Sequence, residues 1–317
     1  MCRWYAFCSV LVFSVPWQRR LDPRFAAVLS WGGKQPVGLQ PGGETVVKAA
    51  FFDLDGTLLD EDKRIPTSAR EALRHWRAQG LRTYIVTARS PRLHITLGWS
   101  EEEFALFDGA IHSNGATLRL EDGLHHCCLH PEAVRRALKQ VRSCQGAEMS
   151  LHMPEDGHAF TFAMDEQRLA RWQLKPENVL PLDENAISRT LKALIFRSDL
   201  KEERPPLPAW LGERIAADCE GLAHVLVTDQ GRTIQLVPLE AGKLRAVEQI
   251  RKRLGLAREE IAVFGDDLND LEMIAHYPMS VAMGNGAAQV KAAAGYVTVA
   301  NTEGGIAQGL RWAMGEG

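Results

Sequence analysis

The sequence predicts an α/β fold, an open parallel-sheet core interrupted by an inserted α+β module. Three observations carry that expectation. The apolar strand ending at Phe51-Phe52, a helical pattern from Ile65 to Gly80 and a buried strand from Leu81 to Thr87 make a β-α-β unit, whose crossover implies parallel pairing. Between about Thr117 and Leu236 the texture changes to short alternating runs. The α/β pattern then resumes, so residues 48–116 and 237–317 form the core and 117–236 the insert.

The elements follow in order. Residues 1–47 show no helical or strand period and carry Gly and Pro at close intervals. The apolar stretch from Trp4 to Trp17 is too short to span a bilayer, and Ser14-Val15-Pro16-Trp17 is a poor cleavage site for a signal peptide. A disordered leader is expected there, or a start assigned upstream of a true beginning near Val46 or Val47. In the first helix, Ser68-x-x-Glu71 reads as a capping box, Ala69, Ala72, Leu73 and Trp76 share a face, and Gly80 suits the left-handed C-terminal cap. A strand from Gly109 to Ser113 closes on Asn114-Gly115. Inside the insert, Ala159–Ala163 and Ala193–Phe196 read as strands, and Glu132–Ser143 and Asp165–Trp172 as helices. Beyond it come a helix from Glu240 to Leu254 ended by Gly255, a buried strand from Ile261 to Phe264, and the acidic turn 265–270. Short strands at Met279–Met283 and Tyr296–Val299 flank a helix from Ala287 to Ala294.

Composition narrows the class. With 317 residues, 45% hydrophobic and 24% charged, the chain reads as globular and soluble, with a real core. A formal net charge of -3 argues against a general attraction to nucleic acid or an anionic membrane, which leaves a small molecule as the expected partner. Six cysteines without a C-x-x-C pair make no disulfide framework and fit a reducing, cytoplasmic setting. The tract His125-His126-Cys127-Cys128-Leu129-His130 concentrates soft ligands, but neighbours on a strand face opposite ways, so no single ion takes them all.

The chemistry concentrates where strands end, which is where open α/β sheets bind ligands. Asp53 and Asp55 stand two apart at the end of an apolar strand, a spacing that projects both to one side, and Gly56 lets the backbone turn sharply. Asp266, Asp53 and a backbone carbonyl offer hard oxygen donors for Mg2+, with Asp55 counted among the candidate ligands. Asp53 suits in-line attack on phosphorus, and Asp55 suits proton transfer to the leaving oxygen and from water. The Thr87 hydroxyl, the N–H at Ala88, and the Lys243 ammonium suit the transferring phosphoryl oxygens. Asn269 offers a further hydrogen bond to phosphate, Asp270 a means of orienting Lys243 or a metal-bound water, and Arg89 and Asn114 lie close enough to touch substrate. Three carboxylates in the turn 265–270 repel one another unless a cation or helix N-terminus compensates them.

In this order the motifs resemble the haloacid dehalogenase (HAD) superfamily, in particular its Cof-type phosphatases with a large α+β cap. The resemblance runs from about Lys48 to Gly317. It implies a Rossmann-like core, Mg2+ dependence and hydrolysis of small phosphate monoesters such as sugar phosphates, FMN or pyridoxal phosphate. By the same likeness Asp53 corresponds to the nucleophile, Asp55 to the acid/base, Thr87 and Lys243 to the phosphate binders, Asp266 to the distal metal ligand and Asn269 to the phosphate-contacting asparagine. Ala88 replaces a frequent glycine, and Leu239-Glu240-Ala241-Gly242-Lys243 departs from the usual Ser-Lys-Gly. Ala282-Met283-Gly284-Asn285-Gly286 also resembles a family loop.

Two other functions fit the same residues. A sugar phosphomutase or phosphotransferase would need a basic cluster in the cap, which Arg135, Arg136, Lys139 and Arg142 offer unless they form a solvated helix face. A non-catalytic phospholigand-binding regulator would not need both Asp53 and Asp55.

Overall fold

The computed structural model describes residues 47–197 and 205–316, so the expected leader 1–47 lies outside the described residues except for Val47, which is buried in the core. Strands β1 (Ala49–Phe52), β2 (Arg82–Val86) and β3 (Gly109–His112) run parallel, and β4 (Thr117–Leu120) and β5 (Gly123–His126) extend the edge antiparallel. A second, antiparallel sheet holds β6 (Ala147–His152), β7 (His158–Phe160), β8 (Lys192–Arg197), β9 (Ala223–Thr228) and β10 (Thr233–Pro238), in the order β7-β6-β8-β10-β9. The chain then returns as β11 (Ile261–Gly265), β12 (Met279–Ala282) and β13 (Tyr296–Val297). Among the described residues the large sheet has the order β13-β12-β11-β1-β2-β3-β4-β5.

Burial explains why β1 reads as a continuous apolar run. Its side chains are covered on both faces, as in parallel sheets flanked by helices. Phe52 stacks on Phe264 at 4.6 Å in the layer that also holds Leu73, Trp76 and Leu310. Phe51 stacks on Tyr84 at 4.8 Å in the opposite layer, with Val247 and Ile250 of the helix Lys243–Leu254. Each such phenylalanine contributes roughly 1.5–3 kcal/mol of burial, and together they fix the strand whose end carries Asp53. The small sheet has its own core, where Leu138, Leu211 and Ile215 from the helices Pro131–Ser143 and Ala209–Asp218 cover Met149, Leu151, Ile195 and Ile234.

Four expectations differ in detail. Residues 117–126, expected in the insert, pair with β3 instead, with Thr117 opposite His112. A tight turn with left-handed Asn114 (φ 53°) and Gly115 (φ 99°) sends the chain straight back along its neighbour. The capping box at Ser68 is not formed, because the helix Thr67–Ala78 starts earlier on Pro66 and places Ser68 inside its first turn. The helix expected from Glu240 begins at Lys243, after an extended Gly242. The strands expected at Ala159–Ala163 and Tyr296–Val299 are the shorter β7 and β13. No helix among the described residues is long and apolar enough to cross a membrane.

Candidate active site

Asp53 leaves the end of β1, where its N–H still donates to the Phe264 carbonyl at 3.1 Å. Its carboxylate is nearly buried and accepts from the Lys243 ammonium at 2.6 Å. That ammonium also donates to Asp270 Oδ1 at 2.6 Å, so one buried cation joins two carboxylates that are far apart in sequence. The other Asp270 oxygen accepts from the N–H groups of Asp266 and Asp267 at 3.1 and 3.2 Å, which holds the acidic turn in shape. Asp270 thus contacts both Lys243 and the backbone of the turn.

Carboxylate oxygens of Asp53, Asp266 and Asp270 lie within 4.8 Å of one another. Burial raises the Asp53 pKa well above its ordinary value, and the Asp270 and Asp266 charges add to this against the opposing pull of Lys243. Burial likewise pushes Asp266 up to about 7, with the Thr57 hydroxyl pulling down and Asp270 and Asp267 pushing up. Burial works against the Lys243 charge, but Asp270 and Asp53 outweigh it and hold the ammonium protonated. One ammonium therefore undercompensates three clustered carboxylates. A hard divalent cation would supply the missing charge, so the donor set fits Mg2+.

Asp55 sits apart from that cluster. Arg89 grips both of its oxygens, Nε donating at 2.6 Å and an η-nitrogen at 2.7 Å, and Lys63 donates to Oδ1 at 2.9 Å. Burial raises the Asp55 pKa, yet Arg89 and then Lys63 outweigh it and hold the group below the usual carboxylate range. The carboxylate expected among the metal ligands is instead engaged by cations on both oxygens. Strand β1 ends at Phe52, so the turn aims Asp53 and Asp55 at different partners rather than side by side.

Thr87 follows β2 and is buried, its hydroxyl accepting from the Arg89 N–H at 3.1 Å. The segment Thr87-Ala88-Arg89 is zipped to the β3–β4 turn: Asn114 N–H donates to the Thr87 carbonyl at 3.0 Å and Ser113 N–H to that of Arg89 at 2.8 Å. Asn114 Oδ1 is buried without a hydrogen-bond partner among the described residues. Ala88 is half-buried, and Asn269 is exposed on its turn rather than drawn into the cluster. Arg135 and Arg136 are paired with Glu184 and Glu132 on an exposed helix face, which gives the solvated reading of that basic run.

Several residues that shape the site carry little sequence signal. Lys63 reaches Asp55 from a left-handed position, φ 62°, and only its place after the acidic loop 60–62 hints at this. The Thr57 hydroxyl donates to Asp266 Oδ1 at 2.8 Å. The Asn285 amide donates to the Gly56 carbonyl at 2.8 Å, and the Asn301 amide to that of Leu59 at 2.7 Å, so two asparagines pin the turn after Asp53. The run Ala282–Gly286 was the available signal for the first of them.

Gly56 has φ 85°, and a Cβ there would stand 2.8 Å from Asp266 Cγ. Gly56→Ala is expected to displace the Asp266 carboxylate and lower kcat/KM about 10- to 100-fold, the scale of a misplacement near 1 Å. Were Asp266 to hold Mg2+, much of the loss would appear as a raised Mg2+ requirement, read from activity titrated with Mg2+. An unchanged Mg2+ requirement would contradict the assignment of Asp266.

Fold and site together define an α/β enzyme whose polar centre lies at the carboxyl ends of parallel strands. The sequence model for haloacid dehalogenase-like hydrolases matches residues 50–310, and the chain belongs to that family. It is 29% identical over 278 residues to YkrA of Bacillus subtilis, covering 83% of this chain and 96% of that one. It is 26% identical to the 5-amino-6-(5-phospho-D-ribitylamino)uracil phosphatase YitU of the same organism, covering 84% and 98%. The solved structure of the HAD subclass IIB sugar phosphatase BT4131 matches with a TM-score of 0.66 over 84% of this chain and 98% of that one, at 24% identity, a likeness of fold. The protein is an enzyme of this hydrolase family, whose relatives are named as phosphatases.

Proposed function

We propose that the protein is a Mg2+-dependent phosphatase that hydrolyses small phosphate monoesters through an aspartyl-phosphate on Asp53. The observation that carries this reading is the buried Lys243 ammonium held between Asp53 and Asp270, beside Asp266. Asp53, Asp266 and a main-chain carbonyl of the turn would hold Mg2+, with Asp270 steadying them. Bound there, Mg2+ would neutralise phosphate oxygens and so ease the approach of an anionic nucleophile.

The residues of the chain then divide the work. Asp53 attacks phosphorus in line, forming one P–O bond as the bond to the leaving oxygen breaks. Lys243, Thr87 and the N–H at Ala88 stabilise charge on the remaining oxygens. Arg89 and Lys63 keep Asp55 ionised at rest, and Asp55 takes up a proton from solvent water once Arg89 shifts its hydrogen bonds to the incoming phosphate. It passes that proton to the leaving alkoxide, then removes one from the water that splits the aspartyl-phosphate. Asn269 and Asn114 contact substrate from the rim. The insert, which we assign to residues 129–238, acts as a cap that chooses the leaving group.

The names of YitU and of the sugar phosphatase BT4131 favour a phosphorylated sugar or polyol as substrate, with FMN and pyridoxal phosphate as further candidates. A reducing, cytoplasmic setting agrees with the free thiols of Cys127, Cys128, Cys144 and Cys219. The test is phosphate release from a panel of these esters with Mg2+ or chelator. Chelator is expected to abolish turnover and Mg2+ to restore it; full turnover in chelator would sink the reading. The metal-free protein should also lose stability as pH rises from about 4 toward about 7. Across that window folded Asp266, pushed up to about 7, keeps a proton that the unfolded chain has already released. Thermal melts should show Mg2+ flattening that slope.

A further inference from the structure

Arg92 lies three residues beyond Arg89 and is not used by the chemistry above. Its backbone is fixed to the core, since the next residue, Leu93, is fully buried in the cluster that holds Phe52 and Phe264. Its side chain nevertheless leaves the core and enters the insert. The guanidinium Nε stands 3.0 Å from Asp156 Oδ1, a charge contact without hydrogen-bond geometry, and an η-nitrogen donates to the Gln173 carbonyl. The Arg92 side chain is only 13% exposed and that of Asp156 24%, so solvent screens this pair weakly.

The receiving groups have unusual backbones. Glu155 and Asp156 have φ of 58° and 60°, and Gln173, which ends the helix Glu166–Trp172, has φ of 51°. Left-handed conformations at non-glycine residues persist only where surrounding contacts hold them. The turn Pro154–Gly157 is closed by the Gly157 N–H on the Pro154 carbonyl at 3.1 Å. Buried His158 holds the turn from behind, its Nδ1 lying 2.8 Å from the Asp156 carbonyl. Arg92 thus meets two strained points of the insert at once, from a core loop that also carries the guanidinium on Asp55.

We propose that Arg92 is a positioning residue, a core-anchored latch that holds the Pro154–Gly157 turn and the end of the helix Glu166–Trp172 beside the reacting centre. It thereby sets the affinity for substrates whose leaving group reaches the insert. The kinetic part of this inference rests on the phosphatase reading; the structural part does not.

The test compares wild type, Arg92→Ala, Arg92→Lys, Asp156→Ala and the double variant Arg92→Ala/Asp156→Ala. Their substrates are a hexose 6-phosphate and acetyl phosphate, whose leaving group is too small to touch the insert. Arg92→Ala is expected to raise KM for the hexose phosphate at least 10-fold while changing kcat/KM for acetyl phosphate less than 3-fold. The double variant should be little worse than Arg92→Ala, and lysine should restore only part of the loss because it lacks the fork that meets both partners. Hydrogen exchange is expected to quicken in residues 153–160 and 166–175 and to stay unchanged around Leu93.

Equal losses on both substrates, or unchanged exchange in the insert, would overturn the latch. If Arg92→Ala fails to fold, Asp156→Ala decides by the same two readouts. If wild type hydrolyses neither compound, the kinetic comparison passes to whichever ester of the wider panel it does hydrolyse; if it hydrolyses none of them, the phosphatase reading fails, and in either case the exchange measurement still decides whether Arg92 holds the insert.

Discussion

Asp53→Asn is expected to cut phosphate release by about 10⁴-fold or more while leaving the protein folded. An amide cannot take the phosphoryl group, and nothing else in the cluster is placed to replace it, since Asp270 is fully buried on Lys243 and Asp266 is held by Thr57. The stability change should be small because opposing effects meet. The substitution removes a carboxylate whose pKa is raised by burial and by two acidic neighbours, which favours the fold. It also leaves Lys243 with Asp270 as its remaining carboxylate partner, which disfavours it. A melting temperature within a few degrees of wild type, with residual turnover below about 0.01% of wild type, is the expected pair of results. Residual turnover above about 1% would move the nucleophile elsewhere.

Which parts of this site are legible in the sequence follows from where the chemistry sits. Strand ends leave local signatures: an apolar run stops at Phe52, Val86 or Phe264, and a carboxylate or hydroxyl stands just beyond. Lys243 is legible as the right residue type, but not the fact that its ammonium is shared by Asp53 and Asp270. That sharing depends on helix Lys243–Leu254 starting three residues later than its apolar pattern suggests, because Gly242 is extended and delays the first turn. The pairing of residues 117–126 with the large sheet is not legible either. A period of two tells which face a residue takes, and says nothing of which sheet the strand joins. Lys63 and Arg92 are harder still: Lys63 turns back on Asp55 from a nearby loop, Arg92 meets Asp156 far along the chain, and periodicity marks neither.

Lys243→Met is expected to be the most destabilising of these substitutions. Methionine fills much of the same space, so the loss isolates the charge rather than a cavity. Removing one partner of a buried ion pair typically costs 3–5 kcal/mol, because the other partner stays buried and uncompensated; that cost corresponds to a fall of roughly 6–20 °C in melting temperature. Here the ammonium serves two carboxylates, Asp53 and Asp270, with Asp266 close by. The sign with pH is set by those acids. With the cation gone, the folded pKa values of Asp53 and Asp266 rise further above the unfolded ones, so the defect should be smallest near pH 4 and grow as pH rises. Mg2+ should recover part of the lost stability by compensating Asp53 and Asp266, but not the catalysis, since the cation proposed for the phosphoryl oxygens is missing; kcat should stay about 10²- to 10³-fold low. Melts at pH 5 and 8, with and without Mg2+, read all of this. A variant that melts like wild type at pH 8 without Mg2+ would mean that the Lys243 ammonium does not compensate the acidic centre, and the charge balance assigned to it would have to be redrawn.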